Sequence, residues 1–317
     1  MNLDFLPDNL DGEAWEKLCD ACYRDRYKAE NYVKIPAAHS GDTGIEGFTH
    51  SGIVYQCYCP QKTYSDQELY EHLRDKVTTD IGKLIDLSNA SRIKKLGIRN
   101  IKEWHFVIPE YKDKRIVEHL ETKRKEVVEE RGKHPTELSY IDADIVLVIK
   151  TAGDLSEELA RCIINPLYDV NLNLAVKKTG TVDWSLCTAD KVENIKRKVK
   201  ALLPDTSTEE EFNLMVNIFA EYYLHGIEIM RRLRETYSII YENIVDLEQQ
   251  YKKQVSIKSA LNSDKSLNKQ LFDEILEDFE MKLKENVPGL STASVMEIRM
   301  DLICGWIADC SLNFREK

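Results

Sequence analysis

Gly41-Asp42-Thr43-Gly44-Ile45-Glu46-Gly47, followed after a short turn by Ile53-Val54-Tyr55-Gln56-Cys57-Tyr58-Cys59-Pro60, decides how the chain reads. Glycines at 41, 44 and 47 let the backbone turn tightly and approach a ligand. Between them stand two acids, Asp42 and Glu46. His50-Ser51-Gly52 is a turn signal, so the segment predicts a hairpin leading into a strand over 53–59. Side chains alternate along a strand, which puts Val54, Gln56 and Tyr58 on one face. A buried amide without a partner costs about 1–3 kcal/mol. Gln56 therefore asks for a partner, and a cation is one. Carboxylates with an amide oxygen are hard ligands that suit Mg²⁺.

Outward from this stretch, residues 12–28 have helical spacing behind a plausible N-cap at Asp11. Residues 31–36, 103–109 and 143–150 read as strands, the last continuous enough to be buried on both faces. Helices are expected at 65–90, 113–131, 155–169 and 189–203. Pro204 is a natural boundary, and no strand pattern follows it. Ser207 and Glu210 have capping-box spacing at the start of a long helix. Met230, Leu233, Tyr237, Ile240, Ile244, Leu247 and Tyr251 then form a heptad seam for another helix, in this chain or in a partner. Helices near 265–286 and 291–310 close the chain. The pattern describes an α/β domain over 1–204 and an all-α domain over 205–317.

Helix, strand, Gly-Asp-x-Gly-Ile-acid, hairpin, Tyr-Gln-x-x and helix together resemble the PD-(D/E)xK nuclease superfamily. The branch it is most similar to is the Mrr-type domain of bacterial anti-phage defence proteins. The resemblance covers roughly residues 10–150, with its specific motif in 41–60. It implies a restriction-endonuclease-like α/β/α core with a mixed sheet, and Mg²⁺- or Mn²⁺-dependent hydrolysis of nucleic acid, DNA being the expected substrate. On this resemblance Glu46 takes the central metal-ligand position and Gln56 the second. Asp42 is an accessory carboxylate, and Glu16 or Glu13 supplies an acid from the first helix. Tyr58 stands where the family has Lys, so it is a catalytic position with a changed residue; Tyr carries no positive charge at neutral pH. Lys62, Lys76 and Lys83 are candidates for a migrated lysine. The same departure supports an alternative: a nuclease fold that has lost catalysis and serves as a nucleic-acid- or protein-binding subunit of a defence complex.

The net charge of −11 excludes a wholesale polyanion coat. Its distribution is uneven. Residues 205–317 carry 13 Lys and Arg against 21 Asp and Glu, whereas 1–204 carry 31 against 34. The acidic tail suits other defence subunits, or self-association through its helices. Residues 91–133, with 13 basic against 8 acidic side chains, form one modest basic island. Lys196, Arg197 and Lys198 lie in a second and are candidate phosphate contacts. The eight cysteines, including Cys19-x-x-Cys22 and Cys57-x-Cys59, read as reduced, buried thiols rather than a zinc site. The N-terminus has no export signal and no run spans a bilayer, so a cytoplasmic protein without membrane contact is expected.

Overall fold

A computed structural model describes residues 10–36, 43–60, 64–165 and 188–316. The chain divides into two compact units, Met1–Leu159 and Ala160–Lys317. The first is α/β. Helix α1 (Gly12–Arg26) starts where Asp11 accepts the Ala14 amide at 2.8 Å. Strands β1 (Val33–Lys34), β2 (Gly47–Phe48) and β3 (Ile53–Cys57) follow, each antiparallel to the one before. β4 (Ile101–Ile108) and β5 (Ile141–Thr151) extend the sheet in parallel, so the spatial order is the sequence order. Parallel neighbours need a crossover. Here α2 (Asp66–Ile85) and α3 (Leu87–Lys95) link β3 to β4, and α4 (Arg115–Lys133) links β4 to β5.

Alternation sorts the sheet's two faces. Val54, Trp104 and Phe106 pack with Leu69, Leu73, Val77 and Ile81 of α2 and with Ile116, Leu120 and Val127 of α4. On the other face Tyr55 stacks on Tyr23 of α1 at 4.2 Å, and the Trp15 indole donates to Val107 O at 3.2 Å. Helices thus cover both faces of a five-stranded mixed sheet.

Two sequence expectations change here. The single helix over 65–90 is two, because Asp86 leaves helical geometry and caps α3 through the Ser88 amide at 2.8 Å. The strand expected to be buried on both faces is the last in the sheet, and Val146 is 47% exposed.

α5 (Ser156–Ile164) spans the division. The second unit then consists, among its described residues, of helices: α6 (Ala189–Leu202), α7 (Glu209–Thr236), α8 (Ser238–Leu261), α9 (Asn268–Asn286) and α10 (Thr292–Ala308). The sequence placed the boundary at Pro204, but the compact units part at Leu159. α6 buries Ile195 and Val199 and packs on α7 and α10, so it belongs with the helices that follow it. The capping box of α7 uses Thr208 and Glu211, one residue later than expected. The heptad seam is interrupted at Tyr237, which takes φ −133°, ψ 68° between α7 and α8. Leu233, Tyr237, Ile240, Ile244, Leu247 and Tyr251 of that seam are all buried, with α7, α8, α9 and α10 packed on one another. Self-association through the seam would have to open that packing. Among the described residues no helix is long and apolar enough to cross a membrane.

Candidate active site

The turn at 43–47 places the central acid. Gly44 has φ +76°, the left-handed region that L side chains avoid, and a Cβ there would lie 2.5 Å from the Asp80 carbonyl oxygen of α2. The Trp104 indole of β4 donates to Gly44 O at 3.2 Å from the sheet side. Glu46 is then fixed between strands: its amide donates to Tyr55 O and its carbonyl accepts from Ile35 N, both at 2.8 Å.

Its carboxylate reaches the C-terminal end of β3. Oε1 accepts from Gln56 Nε2 at 2.7 Å, and Oε2 accepts from the Cys57 amide at 3.1 Å and from the Cys57 thiol at 2.6 Å. Burial pushes the Glu46 carboxyl up to about 7. The two Cys57 donors pull it back, the charge of Glu16 raises it and that of Lys76 lowers it. Gln56 is 2% exposed, and its Oε1 has no hydrogen-bond partner among the described residues. A buried amide oxygen aimed at nothing, beside a buried carboxylate, is the distinguishing feature of this end of the sheet.

Tyr58 continues the strand face, half-buried, with the Lys76 ammonium 6.0 Å from its ring centroid. Burial pushes its phenol up. Lys76 and Lys83, the helix candidates for a migrated lysine, both pair with Asp80, at 3.0 and 3.2 Å. Lys76 is the one whose charge is felt by Glu46. Glu16, on α1, pairs with Lys34 at 3.4 Å and contributes to the field at Glu46. Glu13 is exposed and paired with Lys17. Asp42 and Lys62 lie outside the described residues.

The three candidate residues of the second basic island do not share one exposed face. Lys196 is exposed and paired with Glu193 at 2.9 Å, and Arg197 is paired with Glu316 at 2.7 Å. Lys198 is 1% exposed, donates to Ile307 O at 2.6 Å and is brought down to about 8 by burial. It shares a helix face with Ile195 and Val199, so periodicity turns it inward.

Two features escaped the sequence reading. Asp80 sits in the buried stripe of α2, where an acid among Val77, Ile81 and Leu84 was a legible anomaly. On the opposite sheet face, His105 joins Tyr23 (Nδ1 to Oη, 2.8 Å) and Glu103 (Nε2 to Oε2, 2.8 Å) in a relay, His105 and Tyr23 both being buried. Tyr23 and His105 lie 82 residues apart, and the one available signal was a histidine inside an apolar strand. Cys19 and Cys22 are buried in α1 and are not joined in a disulfide. Among the described residues no group of three or more His, Cys, Asp and Glu is arranged to hold a metal ion. No protein-family model matches the chain, and neither a curated protein nor a solved structure matches it.

Proposed function

We propose that the α/β unit is a metal-dependent phosphodiesterase centre of the PD-(D/E)xK kind, acting on nucleic acid, with DNA as the expected substrate, in anti-phage defence. The order helix, three antiparallel strands, helices, parallel strand supports that reading, as does the meeting of Glu46 and Gln56. The observation that carries it is the orphaned, buried Gln56 Oε1 beside the Glu46 carboxylate. Two hard oxygens suit Mg²⁺, which usually keeps several waters and takes only one or two protein carboxylates. That donor set fits the ion without a third protein ligand.

Bound there, Mg²⁺ or Mn²⁺ would neutralise a phosphodiester and acidify a water. The chain's own residues do the rest. Glu46 and Gln56 hold the ion, and Glu16 keeps the local field negative. Lys76 supplies the positive charge that Tyr58 cannot, and Tyr58 offers a hydroxyl donor. Asp42 remains a candidate accessory acid and Lys62 a candidate substrate contact. Removing Glu46 or Gln56 as alanine is expected to reduce cleavage of plasmid DNA with Mn²⁺ by about 100-fold or more. Equal cleavage by wild type, Glu46→Ala and Gln56→Ala sinks the proposal.

One observation favours the alternative of a catalytically silent binding subunit. Cys57 places an amide and a thiol on one oxygen of Glu46, so that carboxylate already has protein partners. This reading expects no Mn²⁺ binding by calorimetry and recovery of a protein partner by the acidic helical unit.

A further inference from the structure

α2 buries Leu69, Leu73, Val77, Ile81 and Leu84 against the sheet, and one acid, Asp80, lies in the same stripe at 0% exposure. A buried carboxylate is costly unless cations and donors meet it. Asp80 meets two ammoniums on its own helix, Lys76 one turn before it and Lys83 one turn after. Its backbone performs a second task. The Asp80 carbonyl fills the space where any residue but glycine at 44 would place a Cβ. The turn that delivers Glu46 and the ammonium that approaches Tyr58 are therefore referenced to one residue.

We infer that Asp80 is the positioning residue of the candidate site: its carboxylate holds Lys76 toward Tyr58 and Glu46, and its carbonyl seats the Gly44 turn. The catalytic consequence rests on the nuclease reading; the positioning itself does not. A merely structural ion pair would serve as well with either lysine. Positioning makes Lys76 the sensitive partner and Lys83 a spare.

The test uses the full chain and the variants Asp80→Asn, Asp80→Glu and Lys83→Met, with two readouts. The first is acetylation of each lysine, followed by peptide mass spectrometry. In Asp80→Asn, Lys76 is expected to react about 5-fold faster, the equivalent of losing one half-buried ion pair, while Lys17 and Lys133 are unchanged. The second is Mn²⁺-dependent cleavage alongside Mn²⁺ affinity. Asp80→Asn is expected to lose about 100-fold in turnover, as a displaced catalytic group does, with affinity within about 3-fold of wild type. Lys83→Met is expected to leave the Lys76 acetylation rate at the wild-type value, and Asp80→Glu to recover part of the turnover. Unchanged Lys76 acetylation in folded Asp80→Asn overturns the inference, as does Lys83→Met matching Asp80→Asn. Should Asp80→Asn not fold, Asp80→Glu decides: Lys76 acetylation raised above wild type supports the inference, and an unchanged rate overturns it. If wild type cleaves nothing, the nuclease reading fails while the acetylation result still judges Asp80.

Discussion

Two buried amides receive opposite treatment. Asn268, 1% exposed in the helical unit, is fully used. Its Nδ2 donates to Ala201 O at 2.9 Å and Arg315 O at 2.7 Å, and its Oδ1 accepts from Asn262 Nδ2 at 2.8 Å and the Arg315 amide at 3.1 Å. Gln56, 2% exposed in the α/β unit, donates to Glu46 Oε1 and leaves its own oxygen without a partner. The first amide closes a packing problem, tying the start of α9 to the end of α6 and to the backbone of Arg315. The second leaves one open. Complete satisfaction is what stability asks of a buried polar group, and an unfilled acceptor is what a ligand asks.

The sharpest way to break this contrast is to delete both amides. Asn268→Ala strands two carbonyls and two donors, and is expected to cost about 4 kcal/mol in urea denaturation. Gln56→Leu removes an unsatisfied oxygen as well as one bond to Glu46, so its net cost is expected to stay within about 1 kcal/mol. Comparable losses in the two variants would mean that Gln56 is as structural as Asn268.

Next in size is the turn that carries Glu46. Gly44→Ala forces a side chain into the left-handed region and against the Asp80 carbonyl. It is expected to destabilise by about 3 kcal/mol, read by loss of hydrogen-exchange protection in α2 and β3. A wild-type exchange pattern would show that the turn is not seated on α2.

How much of this was legible depends on the distance over which each residue acts. Glu46 and Gln56 could be paired from sequence because they lie ten residues apart across a hairpin whose turn was visible. The sheet could be anticipated because Ile53–Cys57 and Ile101–Ile108 carry strand periodicity. Lys76 could be named but not chosen, since choosing it required knowing that α2 returns past Tyr58. Lys198 was misjudged because a run of basic residues looks like a face in one dimension, while helical rotation separates Lys196 from Lys198. The Glu103–His105 half of the relay lies on one strand, two residues apart, but its Tyr23 half was not legible, because a distant helix supplies that residue and nothing local couples it to the strand.

Buried charge offers a finer comparison, because Glu46 and Lys198 respond to pH in opposite senses. Burial raises the Glu46 carboxyl to about 7 from its ordinary 4.5. Its contribution to stability is fully present below about 4.5 and is lost as pH rises through about 7. Between these values wild type is expected to lose about 3 kcal/mol relative to Glu46→Gln in paired urea titrations. Parallel profiles for the two proteins would place Glu46 in water rather than in the sheet end.

Lys198 gives the smallest and most discriminating effect. Burial lowers its ammonium to about 8 from 10.5, so its contribution is fully present above 10.5 and is lost as pH falls through about 8. At neutral pH the helical unit therefore holds a charged amine at a cost, partly offset by the bond to Ile307 O. Replacing a buried charge by a methylene chain of similar length is often neutral or stabilising, although Ile307 O then loses its donor. Lys198→Met is thus expected to raise stability by about 1 kcal/mol at pH 7, and the advantage should shrink as pH climbs from 8 toward 10.5. A phosphate-binding surface lysine would behave otherwise. Its removal would leave stability flat across that range and weaken nucleic-acid binding in a salt-dependent way. The two titrations together separate a buried acid at the end of β3, whose cost grows as pH rises, from a buried amine in α6, whose cost grows as pH falls.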